Sequence, residues 1–364
     1  MIDWQLYGDS FTTPDMRALW SETATVAHWL AAEQALAASQ ATCGVIPQAA
    51  ADRVAQLTPT EIDLVDLAAD TALVGRPIVG LVRQLRDLVG PDVAPFVHFR
   101  STTQDIIDTA TAMQMRRALS LLQDSLDRVI AELARLADQH PDQMMIGRTN
   151  GQHAVPIRFA DKITLWRNEL ERRKAALAAA GDRGLFVQIG GPVGDIRSYG
   201  DDLGPQVRAD LARRLDLGVA EPHWQSARDG VAEIATAIGL LCASLCKIAH
   251  NVNLLSSSDI GELVEEHREG YGASSSMSHK RNQRASEFGE AVARLGRQRA
   301  EQIGEVTLHQ HERFGGVWIA EWVILREVFL YAAGALMWAE RMTAGMIVKT
   351  EVMSDRIRRS DLGS

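Results

Sequence analysis

From Val231 the apolar residues fall at Ile234, Ile238, Leu241, Leu245, Ile248, Val252 and Leu255, in steps that alternate between three and four. An α-helix gathers such positions onto one stripe, and this spacing is the seam of a helix packed along other helices. At 1.5 Å per residue the seam runs roughly 36 Å. A second seam passes through Met115, Leu119, Leu122, Leu126, Val129, Leu133 and Leu136 and stops at Pro141. A third, less regular helix is expected from Ser286 through Val306, and a fourth over about 318–342. Strand-like alternation is nearly absent. The expected fold class is therefore all-α, a bundle of long helices. So long an unbroken seam needs partners and the chain offers few, so some of that surface is expected to lie between subunits of a homo-oligomer.

Ahead of the bundle, residues 1–104 read as a smaller helical domain. Thr13 caps a helix whose first turn holds Pro14, and that helix is expected to end near Gly44. Pro77, Gly80, Gly90, Pro91 and Pro95 punctuate shorter helices beyond it. The central bundle is expected over 105–345, with a glycine-rich break at 184–200, and 346–364 as a short tail.

Composition excludes several partners. A formal charge of −9 argues against a general nucleic-acid or anionic-membrane binder. The opening residues carry no export signal, and no uninterrupted apolar run reaches bilayer length. Cys43, Cys242 and Cys246 are too few and scattered for a disulfide framework, and a cytoplasmic location is expected.

Three polar clusters sit at ends or breaks of the long helices. In "HFRSTTQDIIDTA" (98–110), Thr102, Thr103 and Gln104 offer donors to an anion beside a helix start; taken alone, the run reads rather as a capping box closed by Asp105 or Asp108. In "GRTNGQHAVPIRF" (147–159), Arg148, Thr149, Asn150, Gln152 and His153 crowd a loop between helices, with Pro156 setting the next helix start. In "EGYGASSSMSHKRNQRASE" (269–287), glycines precede serines, then Lys280 and Asn282. A serine is a poor base unless its alkoxide is stabilised, and such donors at short range suit that task. Further on, Arg313 suits a carboxylate clamp, whereas His309 and His311 point to different helix faces, which disfavours a metal site.

Together these motifs resemble the fumarase/aspartase superfamily. "SSSMSHKRN" is similar to its signature loop, "STTQDIIDTA" to its threonine loop and "GRTNGQHAVP" to its Gly-Arg-Thr loop, in the same order. "TTQDIIDTA", "HWQSARD" and "HERFGGVWIAEW" look most like the branch of 3-carboxy-cis,cis-muconate cycloisomerase and adenylosuccinate lyase, with the cycloisomerase closer. The resemblance implies a homotetramer whose active sites form where loops of three subunits meet, a small polycarboxylate substrate, no cofactor and no metal. It carries the catalytic serine onto Ser274 and the carboxylate-binding pair onto Lys280 and Asn282. Thr102 and Thr103 take the substrate-binding pair, with Gln104, Arg148, Thr149, Gln152, Ser275, Met277 and Arg313 lining the site. Asn150 stands where related lyases often carry a histidine acid, for which His153 could partly substitute. Arg100 replaces a glycine, Arg158 a small polar residue, Ala273 a glycine, and Ser278 and Gln283 prolines. Members usually carry a third helical domain, of which 346–364 would be a remnant. The implied chemistry is lactonisation through an aci-carboxylate carbanion. Elimination of fumarate from a substituted succinate, and a non-catalytic scaffold, are the alternatives.

Overall fold

Both seams fold as continuous helices. The computed structural model describes residues 1–200, 202–266, 269–277 and 279–360; Ser278 and the last residues of the tail lie outside them. An N-terminal helical unit comprises α1 (Gly8–Phe11), α2 (Pro14–Leu19), α3 (Glu22–Thr42), α4 (Gln48–Ala55), α5 (Leu64–Val74) and α6 (Pro77–Val89). The bundle is built from α7 (Thr103–Gln139), α8 (Phe159–Gly184), α10 (Asp229–Leu255), α11 (Arg284–Glu301) and α13 (Gly315–Ala344). Strands β1 (Met144–Thr149) and β2 (Gln152–Arg158) follow α7; β3 (Phe186–Val187), α9 (Leu203–Leu215) and β4 (Gly218–Val219) lie between α8 and α10. After α10 come β5 (Leu263–Glu265), the short α12 (Ile303–Val306) beyond α11, then β6 (Met346–Val348) and α14 (Thr350–Arg359).

The opening helix expected from Thr13 to Gly44 is two helices. Thr13 accepts the Met16 N–H at 3.3 Å and caps α2, but Ser21, in extended conformation, accepts the Ala24 N–H at 3.2 Å and starts α3. A second capping side chain breaks the run. The N-terminal unit does not pack only on itself: Ile2, Met16 and Trp20 join the bundle core, whereas Val187, Ile189, Tyr199, Val207 and Leu211 complete the core of α3–α6.

The α10 seam is satisfied within one chain. Ile234, Ile238, Leu241, Leu245, Ile248, Val252 and Leu255 are all buried, against α8, α11 and α13. The expectation that this seam lies between subunits is thus corrected, because neighbouring long helices already cover it. By length and composition α10 could cross a bilayer, contrary to the sequence expectation; most of its apolar window is buried in the bundle, as for the core helix of a globular domain.

Strands are present where a loop was expected. β1 and β2 pair antiparallel with Thr149 opposite Gln152, so Asn150 and Gly151 form a two-residue turn. Both have positive φ, +50° and +74°, as a type I′ turn requires. Pro156 therefore sits in β2 opposite Ile146 and does not start a helix; α8 begins at Phe159. In a two-stranded ribbon every strand is an edge, where a proline is tolerated. At the same end β5 pairs antiparallel with β6, and α14 packs on β1 with Met353 fully buried, so residues 346–360 close the end of the bundle.

Candidate active site

At the start of α7, Thr102 and Asp105 form a capping box, the Thr102 N–H donating to Asp105 Oδ2 at 3.0 Å. Asp105 also accepts the N–H groups of Gly190 and Gly191, each at 3.0 Å, which pins the glycine-rich loop to the helix start. Burial pushes its pKa up to about 7, against the N–H donors of Thr102 and Gly191 and the nearby His98. Thr102 and Thr103 stay half-buried at this rim. Gln104 turns inward: it is fully buried, donating to Asp108 Oδ2 and to the Gln225 carbonyl, each at 2.8 Å. It accepts Arg313 Nη1 at 3.5 Å, so it positions the exposed Arg313 and does not itself face the rim.

Beneath lies an ion network that the sequence reading missed. Arg228 pairs with Asp108 at 2.7 Å and with Glu321 on α13, and all three side chains are nearly inaccessible. Trp318 Nε1 donates to Asp108 at 3.0 Å, and Arg228 stacks on Trp224 at 4.4 Å. Burial works against the Arg228 charge, but Asp108 and Glu321 outweigh it and raise its pKa. No periodicity marks Arg228, which precedes α10 in a polar turn.

The other polar segments lie at the opposite end. Arg148 pairs bidentately with the buried Glu262, at 2.6 and 3.0 Å, and is turned into the bundle end. Thr149, Asn150, Gln152 and His153 are exposed along the hairpin. Arg158 pairs with Asp161 on the surface, at 3.0 Å through each of two nitrogens. The serine loop is rooted by Glu265, which accepts the Ala285 and Ser286 N–H groups at 2.9 and 2.8 Å and so caps α11. Ala273 bridges to Arg281, and the Asn282 N–H and Nδ2 both donate to the Gly272 carbonyl, at 2.9 and 3.2 Å. Gly272 has φ +67°, and a Cβ there would collide with the Asn282 carbonyl oxygen. Within this lobe Ser274 Oγ accepts the N–H groups of Met277 and Ser276, at 3.1 and 3.4 Å. Ser275, Met277 and Lys280 are exposed and Asn282 is half-buried.

One chain therefore splits the set. α7 has 37 residues, a rod of roughly 55 Å at 1.5 Å per residue. Thr102, Thr103, Gln104 and Arg313 gather at one end, and the hairpin follows the other. The Arg148–Glu262 pair brings the root of the serine loop to the hairpin end.

A lyase family model matches residues 9–295. The chain belongs to this lyase family, within the fumarase/aspartase superfamily, and is an enzyme of that kind. Among curated relatives, the 3-carboxy-cis,cis-muconate cycloisomerase of Acinetobacter baylyi is 35% identical over 97% of this chain and 79% of its own length. Nitrosuccinate lyase of Streptomyces davaonensis is 37% identical over 92% of this chain and 72% of its own. Among solved structures, the β-carboxy-cis,cis-muconate cycloisomerase of Acinetobacter calcoaceticus superposes with a TM-score of 0.90 at 33% identity, covering 97% of this chain and 80% of that one. The all-α long-helix bundle is thus shared with solved relatives.

Proposed function

We propose that the protein is a cofactor-independent cytoplasmic enzyme that acts on a small polycarboxylate through an aci-carboxylate carbanion, in the manner of 3-carboxymuconate lactonisation. The carrying observation is the setting of Ser274. Its oxygen accepts two backbone N–H groups inside its own loop. Such donors stabilise an alkoxide, which converts a weak base into a competent one.

In lactonisation a carboxylate oxygen of the substrate attacks the far carbon of a double bond. The π electrons move towards the neighbouring carboxylate, giving the aci-carboxylate, which Lys280 and Asn282 hold together with Thr102 and Thr103. Ser274, protonated at that stage, returns a proton to the carbon. In the reverse direction the Ser274 alkoxide removes that proton and the C–O bond breaks with its electron pair. A closing loop excludes water meanwhile.

A second reading, fumarate-releasing elimination from a substituted succinate, has support in the nitrosuccinate lyase relative and in Asn150. Asn150 occupies the exposed turn of the hairpin and offers no acid to a leaving amine. Carboxylate and nitrite, as weak bases, leave without one. His153, on the same hairpin, is the nearer donor in sequence. The expectation of a site shared between subunits is carried into this proposal on new grounds: the two ends of α7 hold different parts of the set, so complete sites form where copies meet, in a homotetramer.

A panel assay tests the function. Loss of diene absorbance from carboxymuconate supports lactonisation, and fumarate from nitrosuccinate supports the second reading. Silence on both sinks each of them.

A further inference from the structure

Two non-glycine residues of the segment before α7 adopt left-handed backbone, His98 at φ +58° and Arg100 at φ +55°. Such a conformation is unfavourable for a residue with a Cβ and persists only where the surroundings over-determine it. They do so here. His98 Nδ1 meets the buried Glu33 at 2.6 Å. The Phe99 carbonyl between the two accepts Gln40 Nε2 at 2.6 Å and the Tyr199 hydroxyl at 3.1 Å. The Val97 carbonyl accepts Arg86 Nη2 at 3.2 Å.

This clamped stem carries Arg100. The Arg100 guanidinium lies over the Phe99 ring at 5.0 Å and the Tyr199 ring at 5.8 Å. It is exposed, and no carboxylate pairs with it among the described residues. It stands two residues before Thr102, at the start of α7, where Gln104 accepts Arg313 Nη1. Most of the described arginines, by contrast, are matched to an acid, as Arg158 is to Asp161 and Arg148 to Glu262.

We propose that Arg100 is a specificity-determining residue which binds an additional anionic group, a third carboxylate, on the substrate. The inference rests on the polycarboxylate reading above and deepens it. The guanidinium carbon sits near two aromatic rings, and an arginine without an acidic partner can give bidentate hydrogen bonds to a carboxylate. A dicarboxylate, fully engaged by the threonine and serine loops, has no group to offer it.

The test is calorimetric titration of the full-length chain with two unreactive probes, succinate and tricarballylate, at one fixed salt concentration. Glycine accepts the φ of position 100 without strain, so Arg100→Gly keeps the fold, and its melting curve checks this. The expected result is a roughly ten- to hundredfold loss of tricarballylate affinity in Arg100→Gly, the range of a charge-assisted hydrogen bond. Succinate affinity should stay within about twofold, the noise of an untouched contact. Arg100→Lys, which keeps the charge without the planar fork, should fall between. Equal losses for both probes, or no loss for tricarballylate, overturn the inference and leave the polycarboxylate reading standing. Failure of the wild-type chain to bind either probe overturns both.

Discussion

Ser274 and Asp105 both accept backbone N–H groups but differ in burial. At Ser274 they surround an exposed oxygen, and the Ser274→Ala variant is expected to lose at least about a thousandfold in kcat, as when a member of a catalytic set is removed. Its melting temperature and oligomeric state should match the wild type; unchanged turnover would exclude Ser274 as the base. At Asp105 burial dominates. A folded pKa of about 7 against the ordinary 3.8 means that the folded chain holds a proton the unfolded chain lacks between those values. The contribution of Asp105 to stability therefore falls as pH rises through that window, then levels off above it. Against Asp105→Asn, the wild type should lose ground from about pH 4 to pH 7, read as diverging urea midpoints; parallel midpoints would show that Asp105 does not titrate there. The candidate site residues could be named from the sequence because they cluster in short polar runs. The inward turn of Gln104 and Arg148 was not legible, since their acceptors and acids lie far along the chain: Arg148 meets Glu262 across 114 positions.

Elements were legible in proportion to the length of their periodic pattern. The seams of α7 and α10 span many turns and folded as expected. The hairpin did not declare itself by alternation, because Gly147 and Pro156 interrupt it; the Asn150–Gly151 pair was the available signal, being a turn in which both residues accept positive φ. Helix-to-helix locking was the least visible. Arg228 links α7, through Asp108, to α13, through Glu321, at the head of α10. Truncating it strands two buried carboxylates, so Arg228→Ala should lower unfolding stability by about 3–5 kcal/mol. Denaturant titration checks this, and a loss below about 1 kcal/mol, the range of a surface pair, would mean the network is dispensable.

Over the whole molecule, the bundle was legible and its division into domains less so. Core membership is decided by contacts between distant segments, as when Val187 and Leu211 complete the packing of α3 and α6. The proposed shared site has a direct test at this scale. Ser274→Ala and Thr103→Val chains, each inactive alone, are expected to recover part of the activity when unfolded and refolded together, because some mixed sites receive both intact loops. No recovery above the two parents would place every site within one subunit.

The 37-residue span of α7 also bears on how the enzyme behaves in a test tube. On the shared-site proposal, a rod that holds Thr102 and Ser274 apart leaves a solitary subunit inactive. Turnover per milligram should consequently fade on dilution once dissociation begins, and substrate that grips two neighbours at once should delay that fading by mass action.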